Sequence, residues 1–548
     1  MEEKKVKRSK FSSNLGMMLA CIGGAVGLGN VWGFPSKLGR GGGFYFLIIY
    51  VVVALLLGIP MTLSEYAIGR KMRKGPIAAW TELNRKWKFV GILNAIVCVG
   101  VMGFYCLLFG WIIKYMVEFG IAIFNPAGTF WTMDSAEYFS MFISNPVEPL
   151  VWTFLGLLLA YLCVRKNMAG GIEKACKWMI PALVVLLIVV AIRACTLPGA
   201  EAGIEFLFQP STENVMTSGG WLTVFGIALA QMFFSLNVGF GTNLMYGSYA
   251  PDDSDLAKNA LLVPLGDMVV ALLAALATIP AAFAFGYSPS TGAGMLFITM
   301  KAVFESMPGG AIFGFLFFVA VFFAAISSVI GMTAANAAIP CEHWGWSNKK
   351  GTLLALASNL IIAVPVSLGY SSLSGVRLLS WMGKDTDILD SIDYLCENCF
   401  ATVAALALCI FVGWIWKPAA VIEEVEKGGK FKFTWKGIFT FLIRYICPII
   451  TLIVVLSSIG IISLLFFRLI PLFSLHFPGA KKADAVQQRP LFSMILQFSA
   501  ALNGSRAALR DIAAPHNPAP SAQRSSSRGS RTRCAVLRYQ WCGTARPR

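Results

Sequence analysis

Two carboxylates sit inside apolar runs of this sequence, Asp267 in PLGDMVVALLAALATIP and Glu65 in GIPMTLSEYAIGR. An ionisable side chain in such a run is a functional-site candidate by default. The plainer reading of Asp267 is a solvated cap at the cytoplasmic end of its helix. Ser327 and Ser328 form a hydroxyl pair in FFAAISS; taken alone, they could simply bond back to the preceding turn. The stretch GGAVGLGNVWGFP, residues 23–35, places Gly23, Gly24, Gly27, Gly29 and Pro35 within a long apolar segment. Glycine costs about 1 kcal/mol relative to alanine inside a helix, and proline more. Irregular backbone survives at membrane depth only where it is buried in protein or lines a cavity. A helix broken at AVGLGN would expose carbonyls that suit a small hard cation such as Na⁺. It would also expose amides, at a positive dipole end, that suit a carboxylate. Small residues that let two helices approach would look the same. A second interruption stands in QMFFSLNVGFGTNLMYGSY, residues 231–249, where Ser235 and Asn237 precede Gly239 and Gly241.

The elements that must position these residues are membrane spans. The 548 residues are 57% hydrophobic and 13% charged, with a mean hydropathy of +0.69. A soluble domain is about 25% charged. Spans need roughly 20 apolar residues. Eleven are expected, at about 12–36, 42–69, 89–120, 149–165, 177–195, 220–248, 258–286, 309–341, 351–370, 394–416 and 438–466. MEEKKVKRSK runs directly into the first, with no cleavage pattern of a signal peptide. Lys and Arg collect at the N-terminus (KKVKRSK) and in RKMRKG, NRKWK, RKNMAGGIEKACK, NKK and KGGKFKFTWK. The positive-inside rule then puts the N-terminus in the cytoplasm, and the expected location is the inner (plasma) membrane. The net charge of +17 reflects this topology and a basic tail, not nucleic-acid binding: beyond Phe467 stand thirteen Lys and Arg against two Asp and Glu. That tail, 468–548, has no apolar period and reads as disordered, and its switch from Lys to Arg suggests non-native sequence. The alternatives are a genuine tail or a twelfth hydrophobic segment around LIPLFSLHF. The thirteen cysteines read as small buried hydrophobes. Cys396 and Cys399 form one CxxC, read as one face of a helix start, with an exofacial disulfide as the alternative.

Paired Gly-interrupted spans, one and six, point to two repeats that each contribute one broken helix. GGAVGLGNVWGFP followed by GGGFYFL, then GIPMTLSEYAIGR and SLNVGFG, resemble the neurotransmitter:sodium symporter family over roughly residues 8–466. Eleven spans resemble its bacterial branch, which imports amino acids. The resemblance implies an all-α polytopic fold of the leucine-transporter type, a 5+5 inverted repeat with helices 1 and 6 discontinuous. The parts would be a cytoplasmic segment 1–10 and a transporter domain 11–467, with repeat one at about 11–195, repeat two at about 220–418 and an extra helix at about 438–466. It implies two sodium sites, one from Ala25, Asn30, Ser235 and Asp267, the other from Gly23, Val26, Ala324, Ser327 and Ser328. Animal members need chloride beside the first sodium; a fixed carboxylate at Asp267 supplies that charge, so chloride is not expected. The match of Glu65 is a structural partner of the broken helix. The substrate pocket would be lined by Ala25, Gly29, Val101, Tyr105, Phe234, Asn237, Phe240, Ser328 and Met332. Tyr105 would donate to a substrate carboxylate, and Phe234 would cover the pocket from outside. An amine transporter would want an acid at Gly24, so an amino acid fits better, with a hydrophobic or aromatic side chain. The inner gate would be Arg8 with Glu342, braced by Tyr249. The outer gate departs from the family, because Gly33 stands where an arginine is usual while its partner is kept as Asp393. Lys37 or Arg40 could reach in.

The expected activity is sodium-coupled import by alternating access, with lipid and a small amino acid as partners; a homodimer is compatible with the sequence. The rival is a receptor on the same scaffold that binds without cycling. An enzyme finds no support: His343 and His476 are isolated, and no HExxH, nucleophile motif or ATP-binding loop is present.

Overall fold

The computed structural model describes residues 10–165, 168–287, 294–380, 386–427 and 430–458. Arg8 and the tail 468–548 therefore lie outside the described residues. Among the described residues every regular element is helical. The principal helices are α1 (Asn14–Ala25), α2 (Gly29–Arg40), α3 (Phe44–Met72), α4 (Arg85–Phe124), α5 (Ser135–Ser144) and α6 (Glu148–Val164). They continue with α7 (Met168–Cys195), α8 (Trp221–Ser235), α9 (Thr242–Ser248), α10 (Leu256–Ala284) and α11 (Gly310–His343). The last are α12 (Asn348–Leu368), α13 (Ile388–Ile415), α14 (Pro418–Val425) and α15 (Lys436–Ser458).

Among the described residues, eight helices are long and apolar enough to cross a membrane, or up to ten if each bent pair counts as one span. The pairs are α1 with α2, bent by 48°, and α5 with α6, bent by 80°. The span expected at 220–248 is divided between α8 and α9, of 15 and 7 residues. At about 1.5 Å per residue neither piece alone crosses a hydrocarbon layer of about 30 Å. Within the described residues the eleven expected stretches coincide with helices or broken helix pairs, so the reading of eleven is consistent with the architecture. Large apolar side chains also point outward, Ile361 at 72% exposure and Trp178 at 65% among them. Such a surface is at home in lipid, where only closed backbone hydrogen bonding is tolerated.

Turn chemistry fixes the ends. Ser13 caps α1 by accepting from the Gly16 amide at 3.0 Å, and Asp255 caps α10 through the Lys258 amide at 2.9 Å. The α2–α3 connection is the GGG turn, in which Gly42 and Gly43 have φ of 80° and 75°. A Cβ at Gly43 would stand 2.1 Å from the Phe206 carbonyl, so only glycine fits.

Charges lock the periphery at both ends. Arg70, on the last turn of α3, is fully buried and bonds Glu424 of α14 at 2.8 Å and the Ser254 carbonyl at 2.8 Å. At the same end Asp252 pairs with Lys10 and with Arg73. The Lys10 ammonium, and then Arg73, hold its carboxyl below the usual range. That contact is present above the ordinary carboxylate pKa and is lost as pH falls through the depressed value. Elsewhere Lys301 is fully buried, donates to the Met133 carbonyl at 3.0 Å and lies over the Phe130 and Tyr138 rings. Cys396 and Cys399 are free thiols, both buried. The exofacial disulfide is therefore corrected to packing; Cys396 Sγ fills the space beside Gly100.

Arg70→Ala is expected to destabilise the detergent-purified protein by about 3–5 kcal/mol, because Glu424 is left buried without its charge partner. The double variant Arg70→Met with Glu424→Leu should recover most of the loss. Thermal unfolding followed by tryptophan fluorescence measures both.

Candidate functional site

The site grows from two chain breaks that face each other. The α1 ladder stops at Ala25 because Val26 turns extended, with φ −73° and ψ 103°. The chain restarts as a π-helical turn, Gly29–Gly33, before Phe34–Arg40. The partner break follows Ser235. There Asn237, Gly239 and Gly241 all have positive φ, at 51°, 85° and 79°. Asn237 is the telling residue, since a non-glycine in the left-handed region marks strain that its surroundings must support.

Several of the freed backbone groups find side-chain partners. Asn237 Nδ2 donates to the Gly24 carbonyl at 2.7 Å, tying one break to the other. Gln231 Nε2 donates to the Gly29 carbonyl at 2.9 Å. The Gly27 amide donates to Asn30 Oδ1 at 3.0 Å, and the Leu28 amide to the Tyr105 hydroxyl at 3.0 Å. Glu65 accepts from the Gly239 amide at 3.1 Å and from Asn243 Nδ2 at 3.0 Å. Asn94 donates to the Gly239 carbonyl at 2.6 Å and is held by Trp80 at 3.2 Å. Glu65 thus braces the sixth-span break.

Asp267 is fully buried midway along α10, which removes the reading as a solvated cap. Asn30 Nδ2 donates to its Oδ1 at 2.7 Å, and Ser235 Oγ lies 3.0 Å from both carboxylate oxygens. Tyr50 completes the ring, donating to Oδ2 at 2.8 Å. These three donors are neutral, so they satisfy the hydrogen bonding of a carboxylate without balancing its charge. That is a donor set for a hard cation: oxygen-rich, dry and negative. Asn30, Ser235 and Asp267 are thereby brought together. Ala25 ends the helix beside them.

A second oxygen cluster joins α1 to α11. Ser327 Oγ is 3.4 Å from the Val26 carbonyl and donates to the Ala324 carbonyl at 2.8 Å. Ser328 Oγ is 3.5 Å from the Gly23 carbonyl and 3.3 Å from that of Gly24. The back-bond of Ser327 within its own helix is real, and both hydroxyls also face the α1 carbonyls. All five expected residues of this cluster meet here.

Between the clusters, the Ser328 Oγ and the Tyr105 hydroxyl stand 2.6 and 2.7 Å from where a Gly27 Cβ would be. The Phe234 ring stands 3.0 Å from the equivalent point on Gly29. Ala25, Val101, Phe240 and Met332 are buried in the surrounding apolar core, and Asn237 spends its amide on Gly24. A Cβ at Gly24 would meet the rigid Tyr246 ring at 2.4 Å.

The gate residues divide. Glu342, at the end of α11, is exposed and accepts from the Gly75 amide with both oxygens at 2.8 Å; its expected partner Arg8 lies outside the described residues. Tyr249 is buried, accepts from the Phe11 amide at 2.9 Å and packs edge-on against the Phe11 ring. Asp393, on α13, is half-buried next to Glu397. Sequence reasoning missed Tyr50, Gln231, Tyr246 and Glu397. Glu397 carried a signal, an acid within an apolar run. The other three look like ordinary core or helix residues until the fold is known.

The family model described as Sodium:neurotransmitter symporter family matches residues 8–121 and 124–468. An uncharacterized sodium-dependent transporter of Bacillus subtilis (strain 168), YhdH, is 33% identical over 471 residues, 83% of this chain and 99% of that protein. The Homo sapiens sodium- and chloride-dependent transporter XTRP3 is 28% identical over 295 residues, covering 50% of this chain and 49% of its own. Among solved structures, that of MhsT in complex with L-phenylalanine superposes with a TM-score of 0.75 at 32% identity, covering 82% of this chain and all of the other.

Tyr50→Phe deletes one donor to a buried carboxylate, worth about 1.5–3 kcal/mol for a charged acceptor. The sodium concentration for half-maximal thermal stabilisation should shift by about tenfold or more, read by titrating sodium against choline. A midpoint equal to that of the parent chain would remove Tyr50 from the cation site.

Proposed function

The chain belongs to the sodium:neurotransmitter symporter family, and on that premise we propose that it imports an amino acid with a hydrophobic or aromatic side chain, together with two sodium ions and without chloride. It is a multi-pass sodium-dependent transporter, consistent with its relatives and its apolar helices. The N-terminus is assigned to the cytoplasm of a cell bounded by the inner membrane, on the distribution of Lys and Arg.

The observation that carries the amino-acid reading is the pairing of Tyr105 with the Leu28 amide just before α2. Its hydroxyl already meets the Leu28 amide at 3.0 Å, at the positive end of the restarted helix. A carboxylate arriving there takes over amide and hydroxyl donors at once. The first sodium sits between that carboxylate and Asp267, with Ala25, Asn30 and Ser235 supplying further oxygen. The second sits among the carbonyls of Gly23, Val26 and Ala324 and the hydroxyls of Ser327 and Ser328. An amine lacking a carboxylate would need an acid at position 24, and Tyr246 occupies that space. Val101, Phe240 and Met332 give the side-chain subsite its apolar character, and Phe234 covers it. The related MhsT was solved in complex with L-phenylalanine, which supports an aromatic cargo. Arg8 with Glu342 would close the inner side.

Asp267 argues for chloride independence, because its fixed charge is fully buried beside the proposed sodium. The human relative named chloride-dependent is matched over only half of this chain.

In proteoliposomes, labelled L-phenylalanine should accumulate under an inward sodium gradient in gluconate medium, and accumulation should stop when choline replaces sodium. Sodium-dependent binding of amino acids with no accumulation of any of them would favour the receptor reading. Asp267→Asn is expected to raise the sodium requirement about tenfold, or about 1.4 kcal/mol, and to make uptake respond to chloride. Unaltered chloride-independent uptake would remove that role. Tyr105→Phe should raise the half-saturating substrate concentration roughly tenfold or more, the worth of a hydrogen bond to a charged group.

A further inference from the structure

Gly33 and Lys37 are four residues apart on α2 and so share a face. Both address the same aromatic ring. A Cβ at Gly33 would lie 3.8 Å from Phe234 and 3.6 Å from Gln231 Oε1, ordinary contact distances. The Lys37 ammonium stands 5.2 Å from the Phe234 ring centroid. α13 opens with a helical turn, Ile388–Asp393, followed by a π-helical stretch, Tyr394–Ala401. Asp393 and Glu397, one turn apart there, both act electrostatically on Lys37, while Arg40 at the end of α2 adds like charge. The two carboxyl groups also act on each other. Glu397 Oε1 is buried without a hydrogen-bond partner.

We propose that Lys37, lying over the Phe234 ring and facing the Asp393–Glu397 pair, is the cation that closes the outer entrance, in place of an arginine at position 33. The proposal rests on the alternating-access reading above and adds Lys37 and Glu397 to the site. A cation one turn further along α2 sits about 6 Å further from the break. It holds the lid ring from above, and position 33 stays open beside Gln231. Lysine is a point charge on a flexible stem, without the planar fork that makes an arginine–carboxylate pair bidentate. Its hold on two carboxyl groups depends on the ring beneath it, through cation–π attraction. This explains why glycine is tolerated at position 33: the face it leaves open is served from the next turn.

The test uses the full chain in intact cells, in sodium and without any amino acid. Gln231→Cys serves as a reporter beneath the lid, labelled from outside with a membrane-impermeant methanethiosulfonate; labelling of the chain without the reporter is subtracted. Lys37→Gln is expected to raise the labelling rate about tenfold, and Lys37→Arg to leave it within about twofold. Adding Gly33→Arg to Lys37→Gln should return the rate to that of the reporter chain, since either position reaches the same ring. Glu397→Gln, which alters the opposite wall, should also raise the rate. A Lys37→Gln rate equal to that of the reporter chain, or no recovery with Gly33→Arg, overturns the proposal. Because no amino acid is present, a wrong assignment of the cargo would show in the uptake assay and leave this result readable.

Discussion

Everything in this molecule follows from one constraint: backbone groups released by breaking a helix at bilayer depth must be bonded inside the protein. An unpaired amide or carbonyl in an apolar medium costs several kcal/mol. Two breaks release many such groups, and no water surrounds them. The solution is mutual. Asn237 in one break bonds the Gly24 carbonyl in the other, and Gln231 bonds the Gly29 carbonyl. Glu65 and Asn94 serve Gly239 from helices packed alongside. Because the breaks satisfy each other, they must lie face to face, and a ligand cage assembles there as a consequence of the folding problem.

The same economy makes the site responsive. Asp267 has three neutral donors and an unbalanced charge, which favours a cation. The α1 carbonyls near Ser327 and Ser328 accept at 3.3 to 3.5 Å, longer than typical hydrogen bonds, so a cation can compete for them. Under the proposed function, ions and solute would compete for groups that the protein already pairs. Binding therefore exchanges partners at the breaks, and both helices feel the exchange. The surroundings are stiffer. Arg70 with Glu424 at one end and the caged Lys301 at another fasten short helices to long ones with buried charge. A soft centre inside a pinned frame suits a molecule that opens alternately to either side.

Much of this was legible in residue order. Glycines crowded with a proline inside an apolar run suggest a broken helix, and the break at Val26 shows that this run has one. The pairing of two such runs implied the repeat architecture, and acids and hydroxyls inside other runs marked the oxygen sites. Asp267 stood out by its residue type, whereas Asn30, Ser235, Ser327 and Ser328 were named through the family resemblance. Residue order also exposed the missing arginine at Gly33 without identifying its replacement.

Tertiary structure decided what residue type leaves ambiguous. Tyr50 and Gln231 read as ordinary members of their helices, and only the approach of α3 and α8 to the breaks aims them at Asp267 and Gly29. Glu397, in the π-helical stretch of α13, acts electrostatically on Lys37 of α2, a relation that residue order does not show. Cys396 and Cys399 match a disulfide spacing, yet packing buries both as thiols. The division has a physical reason. The cost of a glycine or a charge at membrane depth is local and can be read from the run that contains it. The partner that offsets this cost is chosen by three-dimensional proximity, which the chain encodes only through the packing of all its helices together.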